Sequence, residues 1–163
     1  MRSSIQIPHK IYNVENLLKQ VFIWKMLSKK IVFTNGVFDI LHKGHIASLT
    51  EASSYGDVLI VAVNADESVK KLKGPTRPVN DEQARALLLA SLLQTDAIII
   101  FEQETPLELI KKILPNVLVK GGDYTVEQIA GAKEVIAGGG EVKISKIIEG
   151  ISTTQIIKKM KEN

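Results

Sequence analysis

The segment Ile31–His45, IVFTNGVFDILHKGH, indicates how this chain folds and where its chemistry lies. Residues 31–33 form a short apolar run without polar alternation, which is typical of a buried parallel strand. Asn35 and Gly36 should end this strand, and a helical pattern begins after Gly44. The segment therefore predicts a strand, a turn and a helix, and α/β proteins bind ligands at such turns.

Two histidines in this segment predict a phosphate site. His42 and His45 stand three residues apart, with Gly44 between them, at or near the first turn of the helix. Free backbone N–H groups and the helix dipole favour an anion there, and the imidazoles add donors on nearly the same face. Without a side chain, Gly44 would let a phosphate approach the backbone. The alternatives are ordinary polar residues, or a zinc site that would need at least a third ligand.

Length and composition restrict the class of protein. With 163 residues, the chain is long enough for about one domain with a full core. It has no cysteine, which fits a reducing cytoplasm, and no pattern typical of a signal peptide or a membrane-spanning helix. The net charge of +3 fits an anionic small-molecule substrate, while an aromatic content of 5% offers few side chains for stacking on bases. We predict a cytoplasmic protein that binds small molecules, with no nucleic acid and no membrane as partners.

Apolar periodicity predicts alternating strands and helices. After a loose lead-in, a helix should run from Val14 to about Lys29, and it either packs on the sheet or forms a contact in a homo-oligomer. We expect residues 1–29 to form this lead-in and helix, and residues 30–163 to form the main part of a single globular domain. Strands that alternate with helices indicate an α/β fold with a parallel sheet of about five strands. The predicted strands span residues 31–33, 58–63, 97–101, 117–120 and 141–144.

A loop rich in glycine, proline and lysine is predicted at residues 70–80, KKLKGPTRPVN. It is either a solvated surface loop or a mobile clamp in which Lys73 and Arg77 meet phosphates. It follows the strand predicted at residues 58–63, and Asn64, directly after that strand, should lie at the ligand-binding edge of the sheet, which favours the clamp. Arg85, on the next predicted helix, faces either the site or solvent.

Two further groups of polar residues follow later in the chain. Gly122 and Asp123 come after the fourth predicted strand, where they either form a plain turn or bring backbone and a carboxylate close to a ligand. Ser152, Thr153 and Thr154 are typical of a helix start. Three successive hydroxyls are more than one N-cap requires, so both capping and ligand binding are possible functions.

These motifs resemble those of the cytidylyltransferase-like nucleotidyltransferases. The first signature of that family is matched by HKGH within NGVFDILHKGH, and the second by ISTT at residues 151–154. The closer resemblance is to the heptose 1-phosphate adenylyltransferases of ADP-heptose synthesis, because FTNGVFDILHKGH, KLKGPTRPVN, VLVKGGDY and EGISTT resemble segments of that family in order and spacing. It departs from many relatives at Ile157, where they have a basic residue, and the neighbouring Lys158 points about 100° away on a helix.

The resemblance implies a Rossmann-like fold and transfer of AMP from ATP to heptose 1-phosphate. It implies that Mg²⁺ accompanies ATP without a metal site built from protein alone, and that a separate sugar kinase supplies the acceptor. Alternatives are a glycerol 3-phosphate cytidylyltransferase and a catalytically silent nucleotide-binding module. The predicted catalytic residues are His42, His45 and Lys73. The predicted nucleotide-binding residues are Thr34, Asn35, Gly36, Phe38, Ser152, Thr153 and Thr154. The predicted substrate-binding residues are Asn64, Arg77, Arg85, Gly122 and Asp123.

Overall fold

The computed structural model describes residues 7–122, 124–145 and 152–162, and within them one parallel sheet is covered by helices on both faces. The strands are Ile11–Tyr12 (β1), Ile31–Gly36 (β2), Val58–Asn64 (β3), Ala97–Phe101 (β4), Val117–Gly121 (β5) and Glu141–Ser145 (β6). Their order is β1-β4-β3-β2-β5-β6, and each neighbouring pair is parallel. The predicted α/β class is confirmed.

Helices connect these strands. They are Val14–Met26 (α1), Lys43–Ser53 (α2), Asp66–Lys73 (α3), Glu82–Ala90 (α4), Leu107–Ile113 (α5), Ala132–Ala137 (α6) and Thr153–Lys161 (α7). Short 3-10 helices span Pro8–Lys10 and Val126–Gln128. In the part of the chain that the structure describes, no helix has both the length and the apolar composition to cross a membrane.

The strand order places the ligand-binding edge between β2 and β5. From β2, the chain adds β3 and β4 on one side, and it later returns to add β5 and β6 on the other side. Such a reversal opens a crevice outside the carboxyl ends of the two central strands, where α/β proteins bind ligands. The loop that carries the two histidines leaves β2 at this point.

The core lies on both faces of the sheet. Ile31 and Phe33 belong to one apolar cluster, together with Leu17 and Val21 of α1. Val32 belongs to the opposite cluster, with residues of α2 and α4. Because successive side chains of a strand point to opposite faces, burial of both faces explains the unbroken apolar run. The predicted packing of α1 on the sheet is confirmed.

Strand boundaries differ from the predictions in two places. Asn35 and Gly36 were expected to end the strand, but they remain in β2, where they pair with Ala62 and Val63 of β3. Backbone pairing with a long neighbouring strand outweighs the weak local preference of asparagine and glycine for strands. The lead-in also adds β1 at the edge of the sheet, so six described strands replace the predicted five. β1 was not predicted because its two residues are too few to show the periodicity of a strand.

The predicted loop at residues 70–80 begins with a helical turn, because α3 continues to Lys73. Acidic residues lie in the first turn of α3 and three lysines in its last turn, which is a favourable arrangement in the helix dipole. The helix ends at Gly74, whose φ of 96° is accessible to glycine. Only the part from Gly74 to Asn80 is therefore an irregular loop.

Candidate active site

The two histidines of the opening segment lie at the start of α2. His42 is the N-cap residue of this helix, and His45 lies in its first turn. Their rings stack with centroids 3.9 Å apart and an angle of 19° between the planes. Both Nδ1 atoms are buried without a hydrogen-bond partner in the described residues. The pair therefore presents polar atoms where a helix start already favours an anion.

The surroundings of both imidazoles favour the neutral form. Burial, followed by the charges of His42 and Lys73, lowers the pKa of His45 to about 4. Burial also lowers the pKa of His42. An anion bound between the rings would raise both pKa values, because an opposite charge favours the protonated form.

Phe38 supports His45 from the side. Its ring lies edge-on to the His45 ring, with centroids 5.2 Å apart and an angle of 63° between the planes. To reach this position, Phe38 adopts a φ of 50°, which is uncommon for a residue with a side chain. A Cβ atom on Gly36 would lie 2.9 Å from the Phe38 ring, so glycine is required there for the ring to fit.

Asp39 fastens the loop after α3 to the loop after β2. It is 1% exposed and accepts hydrogen bonds from Arg77 Nε at 2.7 Å, Val79 N at 2.8 Å and Asn80 N at 3.0 Å. Burial alone would raise the pKa of Asp39, but the hydrogen bonds from Asn80, Arg77 and Val79 outweigh it and lower the pKa. Asp39 therefore braces the turn after β2.

The same contacts bring Arg77 to the site, and Lys73 is the last residue of α3, four residues before it in the chain. Burial and the neighbouring charge of Arg77 lower the pKa of Lys73, and the charge of Asp39 opposes them. Arg77 donates through Nε to Asp39, while its Nη2 is buried and has no partner in the described residues. Arg77 therefore lies against a buried carboxylate and keeps one donor group without a partner in the described residues, while Lys73 is influenced by the same charges.

The start of α7 lies next to the start of α2. Thr153 is nearly buried, and its hydroxyl donates to the Ile40 carbonyl at 3.4 Å, two residues before His42. Ser152 is the N-cap of α7 and accepts from Gln155 N at 3.2 Å, while Thr154 is exposed. The structure thus brings together the two helix starts that the sequence singled out, and capping accounts for one hydroxyl of three.

A cavity of about 220 Å³ opens beside His45 at the carboxyl ends of β2 and β5. Four predicted nucleotide-binding residues line it with His45, and they are Thr34, Asn35, Gly36 and Phe38. Among the described residues that line it, none belongs to α7. The end of β2 and His45 therefore share one site.

Arg85 has a different position from the one predicted. Its side chain is 0% exposed, and Nε donates to Asn80 O at 3.0 Å. Nη1 donates to Val37 O at 2.7 Å, and Nη2 donates to Asn64 O and Asp66 Oδ1, both at 2.7 Å. The predicted substrate contact is wrong, because protein oxygens enclose the guanidinium. Arg85 holds the loops after β2 and β3 and the loop before α4 together.

Two of the other predicted substrate-binding residues lie after β5. Gly122 has a φ of 128°, and its N–H donates to Ser145 O at 3.3 Å. Asp123 lies outside the described residues, so its predicted contact is not placed. Asn64, at the end of β3, is buried and donates through Nδ2 to Ser68 Oγ at 3.1 Å.

Lys120, near the end of β5, is a candidate residue that the sequence interpretation missed. Its Nζ lies 3.4 Å from Asn35 Oδ1 and 5.6 Å from the centroid of the Tyr124 ring. Burial lowers the pKa of Lys120. It lines the same cavity as His45. A charged residue directly after the apolar run VLV of a central strand was the available signal, since such strands seldom end in a buried charge without a function.

Similar proteins agree with this arrangement. The chain is 51% identical over 150 residues to the bifunctional protein HldE of Koribacter versatilis, and 59% identical over 133 residues to that of Vibrio cholerae. These matches cover 92% and 82% of the chain but only 31% and 28% of the relatives. The chain therefore spans about three tenths of the length of these relatives.

Two solved structures share the fold. A lipopolysaccharide core biosynthesis protein from Thermoplasma volcanium matches with a TM-score of 0.59 and 31% identity, over 74% of the chain and 97% of that protein. A pantoate-beta-alanine ligase from Francisella tularensis matches with a TM-score of 0.57 and 18% identity, over 94% and 78%, and shows the fold alone. The model of the family described as cytidylyltransferase-like matches residues 33–159. With its paired helix starts inside that match, this chain belongs to the cytidylyltransferase-like family.

Proposed function

We propose that the chain transfers AMP from ATP to heptose 1-phosphate, giving ADP-heptose and pyrophosphate. The observation that carries this proposal concerns buried side-chain nitrogens without a hydrogen-bond partner in the described residues. They belong to His42, His45 and Arg77, all predicted from the sequence to meet phosphates. A buried polar group without a partner costs about 1–3 kcal/mol, so a ligand with several acceptor oxygens is expected here. A triphosphate supplies them.

The similar proteins support this reaction class. Family membership supports nucleotidyl transfer, and the lipopolysaccharide core biosynthesis protein supports a product that feeds a surface glycan. The HldE relatives are named bifunctional, and this chain corresponds to a minor part of their length. The heptose acceptor rests on the resemblance of four motifs in order, and we propose that a sugar kinase installs its phosphate beforehand.

The chemical step needs charge stabilisation more than proton transfer. A phosphate oxygen of the acceptor attacks the α-phosphorus of ATP and forms the new P–O bond. The bond from that phosphorus to the bridging oxygen breaks, and pyrophosphate leaves with the electron pair. The nucleophile is already an anion, so a general base is unnecessary. Holding two anions in line and offsetting the charge that develops on phosphate oxygens are the main requirements.

The residues of the site meet these requirements from several sides. His45, between His42 and Phe38, would donate to the α-phosphate, where charge grows in the transition state. Lys73 and Arg77 would neutralise the phosphates from the loop that Asp39 fastens. The start of α7, with its hydroxyls and free N–H groups, would hold the departing β- and γ-phosphates.

We propose that Mg²⁺ enters with the triphosphate. In the described ranges, no group of three or more His, Cys, Asp or Glu side chains could hold a metal ion. The carboxylate of Asp39 is already engaged by Arg77, Val79 and Asn80. The ion would thus be bound by phosphate oxygens and water, and no step depends on a metal held by the protein. ATP as the donor favours the predicted cytoplasmic location, and a homo-oligomer through α1 remains a prediction.

Pyrophosphate release tests this proposal. ATP and CTP are each combined with heptose 1-phosphate, other sugar 1-phosphates and glycerol 3-phosphate, and kcat/KM is measured for every pair. We expect ATP with heptose 1-phosphate to give the highest value. A preference for CTP with glycerol 3-phosphate would assign the chain to the rival activity. Release from no pair, with ATP binding intact, would identify a catalytically silent module.

A further inference from the structure

A second cavity adjoins the one beside His45, and Lys120 lines both. The first has a volume of about 220 Å³, and the second has about 350 Å³. The second cavity extends from Lys120 towards Asn64 and Gln128, and His45 does not line it. Its volume falls within the range of about 300–1,000 Å³ that is typical of small-molecule sites. Lys120 therefore lies at a boundary between the reacting centre and a space large enough for a second substrate.

The fold fixes the position of Lys120 at this boundary. β5 pairs with β2 in the middle of the sheet, so Lys120 and Asn35 lie side by side at the carboxyl edge. The Tyr124 ring lies 5.6 Å from the Lys120 ammonium, within the range of a cation–π contact. A partly buried ammonium loses hydration, and an anionic group of a substrate would restore favourable contacts.

On the basis of the proposed function, we infer that Lys120 binds the phosphate of the acceptor and that the cavity of about 350 Å³ takes the acceptor's hydroxyl-rich body. The attacking phosphate would then lie between Lys120 and His45, which both line the smaller cavity. Lys120 would position the nucleophile, and no proton passes through it.

The lining of the larger cavity suits an acceptor with several hydroxyls. Gln128 Oε1 accepts from Thr125 N at 2.9 Å, which leaves its NH₂ group as a donor. Glu104 adds an exposed carboxylate as an acceptor. A hydroxyl both donates and accepts, so it pairs with either group. Leu72 and Pro106 add apolar surface for the carbon skeleton.

The test measures binding of each substrate separately. Wild type, Lys120→Met and Lys120→Arg are titrated calorimetrically with α,β-methylene-ATP, and then with heptose 1-phosphate in the presence of that analogue. Lys133→Met, at an exposed lysine of α6, is the matched control. We expect Lys120→Met to weaken acceptor binding at least about tenfold, as for loss of one charge-assisted hydrogen bond. Binding of the ATP analogue and Tm should be unchanged, and Lys120→Arg should retain part of the acceptor affinity.

Three results would overturn the inference. The first is that Lys120→Met binds the acceptor as tightly as wild type does. The second is that Lys120→Met loses as much affinity for the ATP analogue as for the acceptor. The third is that wild type does not bind the acceptor at all. The proposed function fails by a different result, which is absence of pyrophosphate release from wild type with every acceptor. A KM increase for the acceptor alone in Lys120→Met, with kcat at saturation nearly retained, would separate positioning from a general loss of structure.

Discussion

Arg77 and Arg85 are both arginines paired with an aspartate, yet they use their donors differently. Arg85 donates to three backbone carbonyls and to the Asp66 carboxylate, and it is fully buried. Arg77 donates through Nε to Asp39, and its Nη2 is buried without a partner in the described residues. The difference teaches that burial alone does not separate an arginine whose donors are used by the protein from one that still has a donor available for a ligand. The two arginines are separated by whether their remaining donors have hydrogen-bond partners within the protein.

Arg85→Met gives the largest expected effect, and it tests the structural half of this comparison. Removing the guanidinium leaves the carbonyls of Asn80, Val37 and Asn64 and the Asp66 carboxylate without their donor. Breaking a buried ion pair costs about 3–5 kcal/mol, and we expect the free energy of unfolding to fall by that amount. Denaturant unfolding measures it, with the exposed Lys112→Met as control. Wild-type stability would refute the bracing role.

His45→Ala tests whether buried polar groups without a protein partner serve a ligand, and we expect the second largest effect from it. Loss of one donor to developing transition-state charge lowers kcat about 10²- to 10³-fold. Tm should change little, because the Nδ1 atom of the ring has no partner to lose in the described residues. Pyrophosphate release is compared with that of His9→Ala, at an exposed histidine. Near-normal turnover of His45→Ala would remove this residue from the mechanism.

Arg77→Lys should give an intermediate effect, on ATP rather than on stability. A lysine can still pair with Asp39, but it loses the spare Nη2 donor. A hydrogen bond to a charged group contributes about 1.5–3 kcal/mol, so kcat/KM for ATP should fall about tenfold or more. Lys71→Met, on the exposed side of α3, is the control. If stability falls while kcat/KM does not, Arg77 resembles Arg85 and the comparison fails.

The smallest expected effect concerns pH. Burial lowers the pKa of His45 to about 4, below the ordinary value of 6.5 that the unfolded chain should show. The stability from a neutral ring is fully present above pH 6.5 and is lost as the pH falls towards 4, because the unfolded chain then binds more protons. We expect a loss of roughly 1–2 kcal/mol from this group, allowing for partial exposure of the ring. Urea unfolding between pH 7 and 4 should show a shallower decline for His45→Asn than for wild type or His9→Asn.

Much of the site could be predicted because its signals are local. Two helix starts are indicated by residues that are close together in sequence. One is marked by His42, Gly44 and His45, and the other by the hydroxyls of residues 152–154. Lys120 and Arg85 could not be assigned in this way. Whether such a side chain faces a ligand or the protein depends on strands and loops that are distant in sequence, such as Asn35 beside Lys120.

By itself, the sequence determined the α/β class, all five predicted strands apart from some of their exact ends, and the helix start that carries His42 and His45. These features depend on apolar periodicity and capping, which act over a few neighbouring residues. Only the tertiary structure decided that the start of α7 meets the loop before α2, and that Arg85 braces the site while Arg77 Nη2 has no partner in the described residues. The physical reason is that burial and hydrogen-bond satisfaction are set by groups brought together from distant parts of the chain.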